Sequence, residues 1–464
     1  MEIMKKRGIL LLLMIFVFAL PNISYSEQAQ LLWSTRFSLS QEYNDNIYLD
    51  NNDAVDDWIT TISQGLTLNI KTEETDARVD FQLGYAFYKD RSDNNSFRGN
   101  INLSGFKDIP ITENLMLDLD SSLNISEDPV EADEEVVSTR RSRNRYMRGR
   151  STTRLTYRFG EEDQLYGGYG YTLLENSDPD IEDSKEHRPF IGLNYWFDLH
   201  HGINLNLSHA RGEFETSSDF DDTRAGAIYT LRLSPTTSWN ISYSRTSKDY
   251  SDEEENDYEI QNISLGLSHQ FSEGLSGSAS AGYYRDDVDD ESSEKGVSWS
   301  ASVSKQHEDL SASVSAGYYN NNPEEGGTDR EFSGRLSVGK QFEYGSLLIT
   351  GNTSIKEQIH EAENLGFSRQ KGISASYSLQ AAEDFNINLT GLYRENKYLD
   401  LDNPRKDKTW QGRVSFSYQL LEWLTASLNL SHRKQDSTDD INDYKVNQAF
   451  FTLSLPYEGK PIDF

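Results

Sequence analysis

Val297-Ser298-Trp299-Ser300-Ala301-Ser302-Val303 alternates without a break between apolar and hydroxyl side chains. Period 2 places one set on each face of an extended strand. Val79-Asp80-Phe81-Gln82-Leu83-Gly84-Tyr85-Ala86-Phe87 does the same. Working outward, the unit recurs from Leu31 to Tyr457: about a dozen alternating residues, then a turn. One face is apolar and aromatic, the other Ser, Asn, Gly and Thr. We count twenty-two segments, the first over 33–44 and the last over 445–457, with others over 96–107, 330–342 and 368–381. A soluble sandwich would bury the apolar face against a second sheet. Twenty-two such strands predict instead an all-β, antiparallel up-and-down transmembrane β-barrel, its strand number even as in single-chain bacterial barrels.

The connections alternate too. Phe159-Gly160-Glu161-Glu162-Asp163 and Ser234-Pro235-Thr236 are short, whereas Glu127 to Asn144, Asp286 to Glu294 and Gln435 to Tyr444 are long and acidic. Short turns face the periplasm in such barrels, so both termini are expected there. Lipid-facing sets follow by parity: Leu115, Leu117, Leu119, Leu123; Trp239, Ile241, Tyr243; Phe385, Ile387, Leu389, Tyr393. Tyr283, Tyr318, Trp410, Tyr418 and Trp423 stand at strand ends, where aromatic girdles meet headgroups.

Lys5, Lys6 and Arg7 precede an apolar run from Ile9 to Leu20, then Ser24 and Ser26. That pattern is a secretory signal peptide over 1–26, leaving 27–464 as the barrel. The run is short for a spanning helix, which needs about 18 apolar residues. Only about half a dozen residues then precede the first strand, too few for a plug domain, and this weighs against a siderophore-type transporter. Cysteine is absent, so no disulfide, thiolate metal site or lipid-bearing cysteine exists. Net charge is −32, which opposes nucleic-acid binding.

The strongest local anomaly is basic. On the sixth segment Arg148, Arg150, Arg154 and Arg158 take the polar parity, as Arg78, Arg98, Arg188, Arg224 and Arg232 do elsewhere. The preceding loop is acidic, with Glu131, Asp133, Glu134 and Glu135 as candidates for an inward-folded constriction against that basic wall. A transverse field of this kind would select solutes. The competing reading pairs the arginines with lumen carboxylates such as Asp80, Asp118 and Asp120, which would simply hold the wall together. The middle strands line the lumen with small residues such as Ser276, Ser302 and Ser313.

The outer acidic runs Asp252-Glu253-Glu254-Glu255, Asp286-Asp287, Asp289-Asp290-Glu291 and Asp439-Asp440 could share divalent cations with lipopolysaccharide phosphates. None has the spacing of a defined calcium loop. His200 and His201 are adjacent and make a poor metal pair, and no catalytic or cofactor motif is found.

The first hairpin, Gln41-Glu42-Tyr43-Asn44-Asp45-Asn46-Ile47-Tyr48-Leu49 through Asp56-Asp57-Trp58-Ile59 to Gly65-Leu66-Thr67-Leu68, resembles the opening of a known family. That family consists of outer-membrane β-barrel porins associated with exopolysaccharide gene clusters and exosortase (PEP-CTERM) sorting systems in Gram-negative bacteria. Its Tyr-x-Asp-Asn loop reads Tyr43-Asn44-Asp45-Asn46 here, and Tyr444-Lys445-Val446-Asn447-Gln448 with Leu453-Ser454-Leu455 is similar near the C-terminus. The resemblance implies an outer-membrane barrel serving polysaccharide export and brings no catalytic residues. The last strand, Ala449 to Tyr457, resembles the signal read by barrel-assembly machinery, but the chain continues to a second aromatic, Phe464. The function expected is a pore or export channel in contact with outer-membrane lipid and lipopolysaccharide. The alternative is a non-conducting surface barrel whose acidic loops bind partners or divalent cations; an outer-membrane hydrolase ranks behind both.

Overall fold

The computed structural model describes residues 30–71, 76–126, 146–177, 183–215, 218–252, 257–289, 293–318, 321–322, 327–328, 332–360, 363–398 and 405–463. The expected signal peptide lies outside them. Twenty-two antiparallel strands close into one ring. They are β1 Gln30–Asn44, β2 Asp57–Lys71, β3 Asp76–Tyr88, β4 Ser96–Thr112, β5 Leu115–Ser126, β6 Tyr146–Arg158, β7 Gln164–Asn176 and β8 Ser184–Trp196. Then come β9 His201–Phe214, β10 Phe220–Ser234, β11 Thr237–Tyr250, β12 Tyr258–Ser272, β13 Leu275–Val288, β14 Glu294–His307 and β15 Leu310–Tyr318. The ring ends with β16 Phe332–Phe342, β17 Gly345–His360, β18 Glu363–Ala382, β19 Phe385–Tyr398, β20 Lys406–Leu421, β21 Leu424–Ser437 and β22 Tyr444–Glu458. Each strand pairs with the next, and β22 pairs with β1.

Parity holds all the way round. Leu39 stands opposite Ile62 on one side and Leu453 on the other, and Trp239 stands opposite Leu231 and Leu267. A slip of one residue anywhere would turn an apolar set inward. The apolar set is the outer one and is largely exposed, Ile263 at 52% and Val314 at 51%. Each such side chain gains about 1.5–3 kcal/mol when taken fully out of water, so the surface calls for an apolar surrounding. Aromatic pairs bound this band. Tyr43–Trp58 and Tyr393–Trp410 lie on the long-loop side, with ring centroids 5.1 and 4.2 Å apart. Trp33–Tyr457 and Phe159–Tyr195 lie on the short-turn side, at 5.6 and 6.2 Å. Tyr318 departs from the expected girdle, because its ring lies edge-on to that of Tyr284, a residue of the inner set. Beyond the loop-side aromatics the outer face turns charged, as in the Arg245–Glu259 pair at 2.5 Å.

Bulges recur where two-residue turns close the short rim, between Arg232 and Ser234, Gln270 and Ser272, Gln380 and Ala382, and Gln419 and Leu421. An extra residue there adds the twist that a tight hairpin needs. β4 runs past its expected end to Thr112 through three register shifts, in a stretch that includes Pro110, which has no N–H to donate. β18 begins at Glu363 rather than 368, because Ile359 and His360 of β17 go on pairing with Asn364 and Glu363. The backbone ladder thus carries both strands past a register shift between Glu357 and Ile359. Asp286 and Asp287, expected in a loop, belong to β13.

Past β22 the chain stays on β1. Gly459 donates its N–H to the Trp33 carbonyl at 2.8 Å, and Ile462 and Asp463 pair with Leu31 and Gln30. At the other end of the same seam Asn46 donates its side-chain amide to the Lys445 carbonyl at 2.9 Å.

Candidate functional site

The inner parity carries the polar groups. On β6, Arg148, Arg150, Arg154 and Arg158 share one face, with Asn124, Ser122 and Asp118 of β5 opposite the first three and Gln164 of β7 opposite Arg158. Asp120 stands opposite Thr152. Thus Asp118 and Arg154 are brought together, whereas Asp120 and Arg150 are exposed on neighbouring strands. Glu131, Asp133, Glu134 and Glu135 lie outside the described residues.

Other inner arginines are engaged by carboxylates. Arg78 grips Asp80 through Nε and Nη2 at 2.5 and 2.8 Å, and the Thr67 hydroxyl donates to the same carboxylate at 2.7 Å. Asp222, only 2% exposed, accepts from Nε and Nη2 of Arg224 at 3.0 and 2.8 Å, with Arg188 at 3.7 Å. Arg188 also donates to Glu186 at 2.9 Å. A carboxylate so far from water is tolerable only with such partners.

Inner aromatics lie flat on the wall against glycines, and two of them carry an arginine. Tyr166 stands opposite Gly192, where a Cβ would come within 2.2 Å of the phenol ring. Trp196 stands opposite Gly202, where a Cβ would come within 2.7 Å of the indole. Only glycine allows either ring to settle on the neighbouring strand. The Arg154 guanidinium sits 3.9 Å above Tyr166, and that of Arg232 sits 3.5 Å above Trp196. Between the two stacks Asn204 donates to Asn194, and Asn206 donates to Asn204 at 3.4 Å. Sequence reading passed over these residues. Their signal was an aromatic on the polar parity with glycine on the next strand.

From β11 to β18 the inner wall is built of hydroxyls instead. Serines meet in pairs across strands, Ser276 with Ser304 at 2.8 Å, Ser278 with Ser302 at 2.7 Å and Ser280 with Ser300 at 2.6 Å. Arginine stacks and short hydroxyls thus occupy different arcs of one ring.

The two ends of this wall differ. On the loop side the inner residues Lys248, Ile260, Asp286, Asn396, Asp407 and Val446 are buried. On the turn side Ser276, Ser304, Ser313, Asn386 and Asn388 are exposed. Part of the covering comes from the first loop, 45–56, which folds inward. Its Ile47 is 1% exposed and packs on Ile59, Ala86 and Tyr88 of the inner face. Asn46 ties the loop by donating to the Asp50 carbonyl at 2.6 Å and accepting from its N–H at 2.9 Å.

Three turn-side carboxyls are held below the usual carboxylate range. Glu162 is lowered by the hydrogen bond from Arg232, and Asp309 by that from Lys340. Asp198 is lowered by the backbone N–H groups of His200 and His201, at 2.7 and 2.9 Å. Among the described residues no group of three acidic, histidine or cysteine side chains could hold a metal ion.

The ring is similar to a siderophore receptor, PirA of Pseudomonas aeruginosa, with a TM-score of 0.52 and 11% identity over 92% of this chain and 80% of that one. The chain has the fold of an outer-membrane β-barrel. PirA of Acinetobacter baumannii gives the same TM-score at 9% identity, again over 92% and 80% of the two chains. OccK3 (OpdO) of P. aeruginosa is matched over 92% of this chain and 96% of its own at 13% identity, with a TM-score of 0.32. No family model matches the sequence, and no curated protein does. At these identities the likeness extends to the fold alone.

Proposed function

We propose that the barrel is an outer-membrane pore that passes hydrophilic solutes and serves the export of an exopolysaccharide. The observation that carries this reading is the closed ring with a polar inner face that is exposed to solvent on the turn side. The motif resemblance at Tyr43-Asn44-Asp45-Asn46 supports the export role. In this reading residues 1–26 are removed, assembly machinery reads the C-terminal strand, the short turns and termini lie in the periplasm, and the acidic loops face lipopolysaccharide.

A second reading rests on the buried loop-side half of the wall: a non-conducting surface barrel whose acidic loops bind partners or divalent cations. Conductance of the refolded chain in a planar bilayer decides between them. Steady openings with a defined reversal potential under a salt gradient are expected of a pore. Silence from folded protein would favour the surface barrel.

A further inference from the structure

We infer that the inner strip from Tyr166 to Trp196 is a binding site for an uncharged, hydroxyl-rich saccharide chain. The inference rests on the pore reading only for the route by which the ligand arrives.

The strip begins with Arg154 on Tyr166, continues through Asn194, Asn204 and Asn206, and ends with Arg232 on Trp196. Gly192, beneath the first ring, and Trp196 are four residues apart on β8, a separation of ~13 Å at ~3.3 Å per residue. More than one sugar ring fits along that length. The glycines occupy one face of each aromatic ring, so each guanidinium must lie on the lumen side. A guanidinium held this way has lost much of its rotamer freedom before any ligand arrives.

A carboxylate stands beside each arginine of the strip. Arg232 donates through Nη1 and Nη2 to the two carboxylate oxygens of Glu162, at 2.9 and 2.6 Å, and Asp118 stands opposite Arg154. A simple anion, which only accepts hydrogen bonds, would meet carboxylates and amide oxygens as well as donors. A hydroxyl both donates and accepts, and so matches a wall on which fixed donors and acceptors alternate. The strip also lies in the turn-side half, its own side chains half-buried, while the hydroxyl-lined arc of β11 to β18 leaves room in the same lumen.

The test is titration of the refolded full chain in detergent micelles with maltohexaose and cellohexaose as neutral probes and hexagalacturonate as the acidic one. Heat released and tryptophan emission are both followed. At least one neutral probe is expected to bind with a change in emission that Trp196→Phe removes. Asn194→Ala combined with Asn204→Ala should weaken binding tenfold or more, and heat-shifted migration on a gel confirms folding. Arg154→Lys, which keeps the charge and loses the planar fork, should weaken it as well. Binding of hexagalacturonate alone, binding untouched by these substitutions, or no binding by folded protein would each overturn the assignment. Conductance is read separately, so binding by a silent barrel retains the site and rejects the pore, and an open barrel that binds none of the probes does the reverse.

Discussion

Asp45 and Asn447 are 402 positions apart in the chain, yet Asp45 accepts hydrogen bonds from both the backbone N–H of Asn447, at 2.6 Å, and its side-chain amide, at 2.5 Å. Together with Asn46 on the Lys445 carbonyl, this fastens the loop end of the β22–β1 seam. The two sequence motifs that carry the family resemblance, one at each end of the chain, therefore touch. Asp45→Ala with Asn46→Ala removes five hydrogen bonds, three across the seam and two within the loop, and is expected to cost about 2.5–7.5 kcal/mol at ~0.5–1.5 kcal/mol each. Lowering of the temperature at which the folded band shifts on a gel measures it. The same pair of changes at exposed Asn51 and Asn52 should leave that temperature unmoved.

The inward course of the first loop depends on Ile47. Ile47→Ala should cost roughly 2–5 kcal/mol of local docking energy, as for other large-to-small changes at buried sites. The loop would then leave Ile59 and Tyr88, and single-channel conductance should rise. An unaltered conductance would mean that the loop does not narrow the path.

Charge on the basic wall sets the expected selectivity. Arg150→Glu with Arg154→Glu should move the reversal potential under a salt gradient toward cation preference, most strongly at low ionic strength where screening is weak. An unchanged reversal potential would leave these arginines a purely structural role.

The Glu162–Arg232 contact spans three intervening strands at the turn-side rim. The Glu162 carboxyl titrates below its ordinary value, so its contribution to stability is present above the unfolded value, about 4.3, and is lost as pH falls through the lower folded value. Acidification below pH 4 should therefore lower the hydrogen-exchange protection of 159–163, measured against the intrinsic rate at each pH. Glu162→Gln should give fast exchange at neutral pH and abolish that part of the pH dependence.

The two faces should differ sharply in their tolerance of charge. Leu265→Arg on the outer band is expected to cost about 2–4 kcal/mol in a bilayer. Ser278→Arg on the inner face should fold normally. Urea unfolding of both proteins in lipid vesicles provides the comparison.

The ring was legible in the sequence because lipid outside and water inside impose alternation on every strand that crosses. Val297 to Val303 could be assigned to its faces unaided, and so could Trp239, Ile241 and Tyr243. The places that escaped lie where that pressure is absent. At residues 359–364 the β17–β18 ladder runs on past a register shift, and β4 beyond residue 107 is broken by bulges. The inward packing of Ile47 depends on Ile59, Ala86 and Tyr88 on two other strands, so no local pattern announces it. The arginine stacks needed the register of β7 on β8 and of β8 on β9. Only that alignment sets Tyr166 against Gly192 and Trp196 against Gly202.

The β22–β1 seam also divides the labour of folding unevenly. Every other strand pairing joins consecutive segments, which can meet as hairpins while the rest of the chain is still disordered. The seam alone must bring together residues some four hundred positions apart, at an entropic cost on the order of 5 kcal/mol by the logarithmic dependence on loop length. Until it forms, β1 and β22 each present an unpaired row of N–H and C=O groups, which hydrocarbon does not accept. A late, concentrated barrier at this one junction follows, and Asp45, Asn46, Gly459 and Ile462 stand at its two ends.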